Sequence, residues 1–185
     1  MKYEITKENK ILFGIKLFKI KALRNFGNIK INDLGGWIEK EKNLSQDGNA
    51  WVSDNAWVSG NAWVSGNAQV YDNARVSGDA QVSGDARIYD NARIYDNARV
   101  SGNAWVSGNA WVKINIFNLV FCCEFPVSAY IQKTKGWSVQ IGCKLHSVDE
   151  WHKIFKTKTY LLLCSNEKEY NRCEMAFNYI ISLID

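Results

Sequence analysis

The feature that most constrains this chain of 185 residues is a six-residue repeat. Ten consecutive hexads run from Ala50 to Asn109, in forms such as AWVSGN and ARIYDN, and a partial eleventh begins at Ala110. In each hexad Ala and Val or Ile flank one variable residue. The two apolar side chains therefore face one way from a short strand, and the variable residue faces the other way. The repeat predicts Ala and Val or Ile inside and the variable residue outside.

The other three positions of the hexad are suited to a turn. They are Ser or Tyr, then Gly or Asp, then Asn or Asp. These residues tolerate left-handed backbone angles or cap a turn with their own side chains. A strand that turns once per hexad cannot stay in a flat sheet, and a helix would need apolar spacings of three and four. The sequence therefore predicts a chain that coils around a narrow axis, which is a parallel β-solenoid.

The hexads resemble the left-handed parallel β-helix of hexapeptide-repeat proteins, over about Ala50 to Val112. In that family three hexads make one triangular coil. One departure is that Gly or Asp stands two positions after the inward aliphatic residue, where the family often has Gly directly after it. The resemblance implies a mainly β fold with a three-hexad period and left-handed coils.

A period of three hexads would stack the variable residues in three outward columns. The first is Trp51, Gln69, Arg87 and Trp105, the second is Trp57, Arg75, Arg93 and Trp111, and the third is Trp63, Gln81 and Arg99. At the corners, the same period would stack Tyr71 on Tyr89 and would align Asn55, Asn73, Asn91 and Asn109 in an amide ladder.

Trp occupies the end coils of these columns, and Arg and Gln occupy the middle coils. Trp and Arg are the residues most enriched at binding hot spots. We therefore predict a partner-binding surface formed by Arg75, Arg87, Arg93, Arg99, Trp57 and Trp111. The alternative is that terminal domains or neighbouring subunits bury the Trp rings.

The segments on either side of the repeat differ from it and are suited to cover its open ends. Residues 1–43 contain Ile, Phe and Leu runs broken by a predicted turn at Lys7–Lys10, which indicates a β cap. Residues 114–185 combine a strand, WSVQIGC, with a capping box at Ser147 and Glu150 and a second segment of helical apolar spacing. We therefore predict three domains: an N-terminal β cap at 1–43, the solenoid at 44–113, and a C-terminal α/β cap at 114–185.

Charge and cysteine usage bear on location and partners. The net charge is +4, with the basic excess in residues 1–43, while residues 44–113 hold five Lys and Arg against seven Asp and Glu. Binding to bare nucleic acid is therefore not expected. The apolar segment from Ile114 to Ile131 is interrupted by polar residues, and no signal peptide is visible at the start. An odd cysteine count with the adjacent pair Cys122 and Cys123 suits a reducing compartment, so we expect a cytoplasmic protein without membrane contact.

The repeat lacks the residues of the enzymes that share such coils. Acyltransferases of this type need a histidine base between coils, and a carbonic-anhydrase-like site needs several histidines, whereas His146 and His152 both lie outside the repeat. Cys143, His146, Cys164 and Cys173 could supply four zinc ligands, but buried structural cysteines are the favoured interpretation. The corner residues Asp72, Asp90 and Asp96 lack the glycine-rich calcium repeat. We predict no enzyme activity, no cofactor and no metal site.

LGGWIE at residues 34–39, the AWV-type hexads and VQIGCKLHSVDEW at residues 139–151 together resemble a group of phage and prophage hexapeptide-repeat proteins. The resemblance implies a cytoplasmic protein of a bacterial host or its phage, and it favours a homo-oligomer, specifically a trimer. We expect a non-enzymatic protein that presents a rigid surface to a host protein or nucleoprotein, for example to inhibit a bacterial defence system. The alternatives are a structural or assembly component of the virion, and an enzyme with an unrecognised site in the C-terminal cap.

Overall fold

A computed structural model describes residues 1–112, 127–132, 136–141, 144–157 and 167–184. The N-terminal part contains strands β1 (Tyr3–Leu12), β2 (Ile15–Ala22) and β3 (Leu34–Ile38), followed by a 3-10 turn at Glu41–Asn43. Eleven two-residue strands follow: β4 (Trp51–Val52), β5 (Trp57–Val58), β6 (Trp63–Val64), β7 (Gln69–Val70), β8 (Arg75–Val76), β9 (Gln81–Val82), β10 (Arg87–Ile88), β11 (Arg93–Ile94), β12 (Arg99–Val100), β13 (Trp105–Val106) and β14 (Trp111–Val112). The C-terminal part contains β15 (Val127–Gln132), β16 (Gly136–Ile141), β17 (Lys144–Ser147), α1 (Val148–Lys156) and α2 (Glu167–Ile184).

The short strands form a parallel β-solenoid of about four turns, as the repeat predicts. Three parallel ladders run along it: β4-β7-β10-β13, β5-β8-β11-β14 and β6-β9-β12. In the second ladder Trp57 pairs with Arg75, Arg75 with Arg93, and Arg93 with Trp111, so each step is three hexads. The three predicted columns are therefore confirmed, and the left-handed sense of the coil stays a prediction.

The core of the solenoid is the stack of inward Ala and Val or Ile side chains. Every one of them, from Ala50 to Val112, is at most 1% exposed. The backbone N–H and C=O groups between them are paired from coil to coil, as in the bonds from the Arg75 N–H to the Ala92 oxygen and from the Ser77 N–H to the Ile94 oxygen. The predicted inward and outward register is therefore confirmed.

The corners need one residue with a left-handed backbone in each hexad. In one corner column these residues are Asp54, Asp72, Asp90 and Gly108, with φ between 56° and 64°. Each Asp carboxylate accepts a hydrogen bond from the backbone N–H one coil above, at 3.3, 3.3 and 2.9 Å. Asp has a structural role at this corner, because its carboxylate accepts a hydrogen bond from a backbone N–H group that has no partner in the strand ladder.

Another corner column holds Gly48, Gly66, Gly84 and Gly102. A Cβ at Gly66 would lie 3.0 Å from both the backbone nitrogen and the oxygen of Gly84, so side chains are excluded there by the neighbouring coil. The predicted tyrosine stack and the first step of the predicted Asn ladder are also present. Tyr71 and Tyr89 are parallel with ring centroids 5.1 Å apart, and the Asn55 amide donates to the Asn73 side-chain oxygen at 3.5 Å.

The N-terminal cap begins with the antiparallel hairpin of β1 and β2. Its turn is at Phe13 and Gly14, whose φ values of 53° and 79° suit a two-residue hairpin loop. The predicted turn at Lys7–Lys10 is wrong, because these residues belong to β1. The register shifts between Ile5 and Asn9 instead, so the polar run is accommodated as a bulge within the strand.

The hairpin continues one face of the solenoid. β2 pairs with β3, and β3 pairs in parallel with β5, which makes a sheet in the order β1-β2-β3-β5-β8-β11-β14. The offset from Trp37 to Trp57 is two positions longer than three hexads, and so is the offset of the bridge from Leu44 to Val64. A first, irregular coil therefore starts at β3, and the domain boundary between residues 43 and 44 stays a prediction.

Aromatic residues of the cap close the N-terminal end of the core. The rings of Tyr3 and Phe26 meet Trp51 edge-on, with centroids 6.4 and 5.3 Å away, and Trp51 is 2% exposed. For this tryptophan the alternative of burial by a terminal domain is the observed arrangement.

Lys2 is buried beneath the same cap. Its Nζ donates to the Ala50 backbone oxygen at 2.8 Å and lies 5.2 Å from the centroid of the Phe26 ring. Burial lowers the pKa of this ammonium group to about 8; the charge of Arg24 acts in the same direction, and Asp47 opposes it. The Lys2 ammonium group therefore donates hydrogen bonds to backbone oxygens at the first coil. Its removal from water is unfavourable, which is why its pKa is lowered.

In the C-terminal part, β15, β16 and β17 form an antiparallel sheet, and α1 follows it directly. The predicted capping box is confirmed: the Glu150 N–H donates to the Ser147 hydroxyl at 3.2 Å, and the Ser147 N–H donates to the Glu150 carboxylate at 2.8 Å. The Trp151 indole donates to the Val139 oxygen at 2.6 Å, and the Tyr170 hydroxyl donates to the Phe155 oxygen at 2.6 Å. These bonds hold α1 to the sheet and α2 to α1.

Two substitutions at neighbouring positions test the register of the solenoid. Ala80 is fully buried and Gln81 is exposed on the third column. Ala80→Leu should overpack a middle coil and lower the free energy of unfolding by about 1–3 kcal/mol or more, whereas Gln81→Leu should be nearly neutral. Chemical denaturation of both variants measures this. Equal destabilisation would contradict the register.

Lys2 predicts an unusual pH dependence of stability. Because its pKa is about 8 when folded and 10.5 otherwise, the unfolded chain binds more protons between these values, so stability should rise with pH across this window. In Lys2→Met this contribution is absent. The difference in free energy of unfolding between the two proteins should change by about 2 kcal/mol between pH 7 and pH 10. If the free energies of unfolding of the two proteins change with pH in the same way, Lys2 is not desolvated as described.

Candidate functional site

The candidate site is a cleft on the outer face of the second column. Arg75 and Arg93 form its floor, and Trp57, Ser77, Tyr95 and Trp111 surround them. Phe13 at the hairpin tip reaches this cleft because the hairpin belongs to the same sheet as the column. The volume of the cleft is about 340 Å³. We refer to it as the arginine cleft.

Both arginines are stacked on aromatic rings. The guanidinium carbon of Arg75 lies 5.3 Å from the centroid of Phe13 and 5.7 Å from that of Trp57, and that of Arg93 lies 4.8 Å from the centroid of Trp111. A guanidinium group over the face of an aromatic ring is attracted by the ring and can still donate its N–H groups to a ligand. The rings therefore favour the positions that Arg75 and Arg93 have in the cleft.

The two positive charges are close to each other, and no described carboxylate pairs with them. Arg75 and Arg93 are ladder neighbours, so their backbones are about 4.8 Å apart. Within the part of the chain that the structure describes, neither one forms an ion pair. Burial, followed by the charge of Arg93, lowers the pKa of the Arg75 guanidinium. An anion bound between them would remove this repulsion.

Four of the acidic corner residues accept hydrogen bonds within their own corner columns. Asp72 and Asp90 accept backbone N–H groups of the next coil, as described above. Asp79 accepts from the Asn61 amide at 3.0 Å, and Asp85 accepts from the Asn67 amide at 3.0 Å. These four carboxylates bond to amide groups and form no ion pair with Arg75 or Arg93.

Basic and aromatic side chains continue from the cleft onto the hairpin. The Nζ atoms of Lys10 and Lys19 lie 4.1 and 4.8 Å from the Trp37 ring, and Trp37 pairs with Trp57 at the end of the column. Glu8 lies 3.9 Å from Lys19 and offsets part of this charge. The second column therefore carries cations stacked on aromatic rings from the hairpin to the last coil.

The structure brings together four of the six predicted site residues. Arg75, Arg93, Trp57 and Trp111 line the arginine cleft. Trp57 is only 7% exposed, because it packs against Leu17 and Trp37, so it serves as a wall and not as a protruding anchor.

The other two predicted residues lie on different faces. Arg87 is in the first column, 5.3 Å from the Trp105 ring, and lines a separate, polar cleft of about 510 Å³ with Gln69, Tyr71 and Asp85. Arg99 is on the third column, where it pairs in the ladder with Gln81. Neither residue contributes to the arginine cleft.

Phe13, Ser77 and Tyr95 line the cleft but were not predicted as site residues. Ser77 and Tyr95 follow the inward Val76 and Ile94 of the two arginine hexads, so the three-hexad period could have placed them beside Arg75 and Arg93. Phe13 carries no such signal, because its position depends on the pairing of β2 with β3.

Most of the cysteines proposed as zinc ligands lie outside the described residues. Cys173 is fully buried in α2, while Cys122, Cys123, Cys143 and Cys164 lie outside the described residues. Over the described ranges, His, Cys, Asp and Glu form no group of three or more that could hold a metal ion. In the same ranges, neither α1 nor α2 combines the length and the apolar character that crossing a membrane requires.

Comparison with known families finds a match within the repeat. Residues 68–84, 80–95, 86–100, 92–108 and 98–112 match the model of the YdcK beta solenoid repeat. No curated protein matches the chain. The match covers the coils that hold Arg75, Arg93 and Trp111, and it agrees with the solenoid that the structure forms. In these coils the chain is therefore similar to a β-solenoid repeat family.

Proposed function

We propose that this is a non-enzymatic binding protein whose arginine cleft holds an anionic group of a macromolecular partner. The observation that carries the proposal is the pair Arg75 and Arg93, stacked on aromatic rings and unpaired with any carboxylate in the described residues. Unneutralised arginines beside aromatic rings are typical of binding hot spots, since each can form a bidentate contact with carboxylate or phosphate.

The solenoid supports this role as a rigid support for the cleft. Backbone hydrogen bonds fix each strand to the coils above and below it, and both arginines lie over aromatic rings. A ligand would therefore find the arginines already ordered, and binding would cost less side-chain entropy than at flexible lysines. A rigid solenoid that carries two arginine side chains in one cleft favours a role in recognition over a role in catalysis.

The partner proposed is a protein or nucleoprotein of a bacterial host. The support for this part is the sequence resemblance to phage and prophage proteins, together with the positive cleft. A phage protein in the host cytoplasm could use such a cleft to occupy a component of a defence system. A homotrimer is part of the same proposal, and the 45% exposed Trp63 on the third column offers apolar area for contacts between copies.

Charge reversal in the cleft tests the proposal. Arg75→Glu/Arg93→Glu should abolish capture of the partner from host lysate, because the cleft then repels an anionic group. The matched control is Arg87→Glu/Arg99→Glu, which makes the same change in net charge on the other two columns. Thermal melts of both variants should stay close to that of the unchanged protein.

Capture is measured at two salt concentrations, with the bound proteins identified by mass spectrometry. Loss in the cleft variant alone, with weaker capture at high salt, supports the proposal. Undiminished capture by the cleft variant would clear this face of any role. A second capture from a lysate of phage-infected cells that retains phage structural proteins in place of host proteins would favour the virion-component alternative.

A further inference from the structure

The charge of the arginine cleft constrains the chemistry of its ligand. Two guanidinium groups on neighbouring strands present two positive charges within one small cleft. A single carboxylate would neutralise one of them, whereas a phosphate monoester carries a charge of about −1.5 to −2 at pH 7 and has three acceptor oxygens. A phosphate can therefore accept from Arg75 and Arg93 at once, and it matches their combined charge.

The shape of the cleft argues for a small ligand or a protruding group. Its volume of about 340 Å³ lies at the lower end of the range for small-molecule sites, roughly 300–1,000 Å³. An inorganic phosphate would leave most of this space unfilled. A phosphate attached to a compact body fits this volume better than a flat acidic protein surface does.

Aromatic side chains in the cleft indicate that this body is a planar ring. Phe13 stands at the hairpin tip and is 73% exposed, with Arg75 against its ring. Tyr95 lines the cleft and meets Trp111 edge-on at 6.2 Å. Unpaired bases stack on aromatic rings and on guanidinium groups. Exposure of the Phe13 ring to water is unfavourable, and a bound base would cover this apolar surface.

We infer that the arginine cleft binds a nucleotide, with the phosphoryl group between Arg75 and Arg93 and the base against Phe13. The source can be a free nucleoside monophosphate or the terminal phosphate of a nucleic-acid strand, since both present the same chemistry. The inference rests on the proposed function only in using the same cleft.

Isothermal titration calorimetry with the full chain tests the inference. The titrants are 5′-AMP, adenosine and inorganic phosphate, together with a short single-stranded oligonucleotide with and without a 5′-phosphate. AMP should bind, adenosine should not, and inorganic phosphate should bind at least tenfold more weakly than AMP because it lacks the stacked base. Binding of the oligonucleotide only when it is 5′-phosphorylated would identify a strand end as a second source.

Variants assign the binding to the cleft. Arg93→Gln should weaken AMP binding at least tenfold, since a hydrogen-bonded charge is lost. Arg87→Gln is the matched control, because Arg87 is also stacked on a tryptophan but stands alone on its column. It should leave AMP binding unchanged. Phe13→Leu should weaken AMP binding several-fold and leave the binding of inorganic phosphate unchanged.

Three outcomes would overturn the inference: no AMP binding at millimolar concentration, equal binding of AMP and adenosine, or equal losses in Arg93→Gln and Arg87→Gln. The proposed function fails separately. If AMP does not bind but the charge-reversed cleft variant still loses its host partner, the nucleotide inference falls and the proposed function stands. If AMP binds in the cleft but the charge-reversed cleft variant still captures its host partner, the nucleotide inference stands and the proposed function falls.

Discussion

The backbone hydrogen bonds between successive coils, three hexads apart in the chain, are the interactions on which this structure depends. Each two-residue strand is too short to be stable alone, and it persists because its N–H and C=O groups pair with the coils on both sides. The narrow interior admits only Ala, Val and Ile, and the corners admit only Gly or Asp at the left-handed position. The six-residue repeat therefore follows from the requirements of the ladder, which fixes the residue types inside the coil and at its corners.

The same ladder produces the candidate site. Strict stacking at three-hexad intervals places Arg75 beneath Arg93 and places a tryptophan at each end of their column. Two like charges at this spacing are unfavourable unless they are screened or paired, and the aromatic rings compensate only in part. The ligand proposed above would neutralise a charge pair that has no carboxylate partner in the described part of the chain.

The sequence predicts the periodic part of the fold and fails where the period is broken. The columns, the inward register, the Tyr71–Tyr89 stack and the Ser147 capping box all follow from local pattern or from the three-hexad period. The first coil escapes prediction because its offset exceeds three hexads by two positions and LGGWIE lacks the Ala-x-Val pattern. Phe13 escapes for a related reason: it reaches the cleft through pairing between distant strands, which no local pattern encodes.

A disulfide between the two cleft positions tests the central arrangement most directly. In Arg75→Cys/Arg93→Cys the new thiols would be ladder neighbours, and backbones about 5 Å apart are within the range that a disulfide spans. Trypsin still cuts at Arg87 between them, so mass spectrometry identifies the link as two joined peptides. Rapid linkage under mild oxidation, with none in Arg75→Cys/Arg99→Cys, is the expected result. Equal linkage in both variants, or linkage in neither, would contradict the stacking of Arg75 on Arg93 one coil apart.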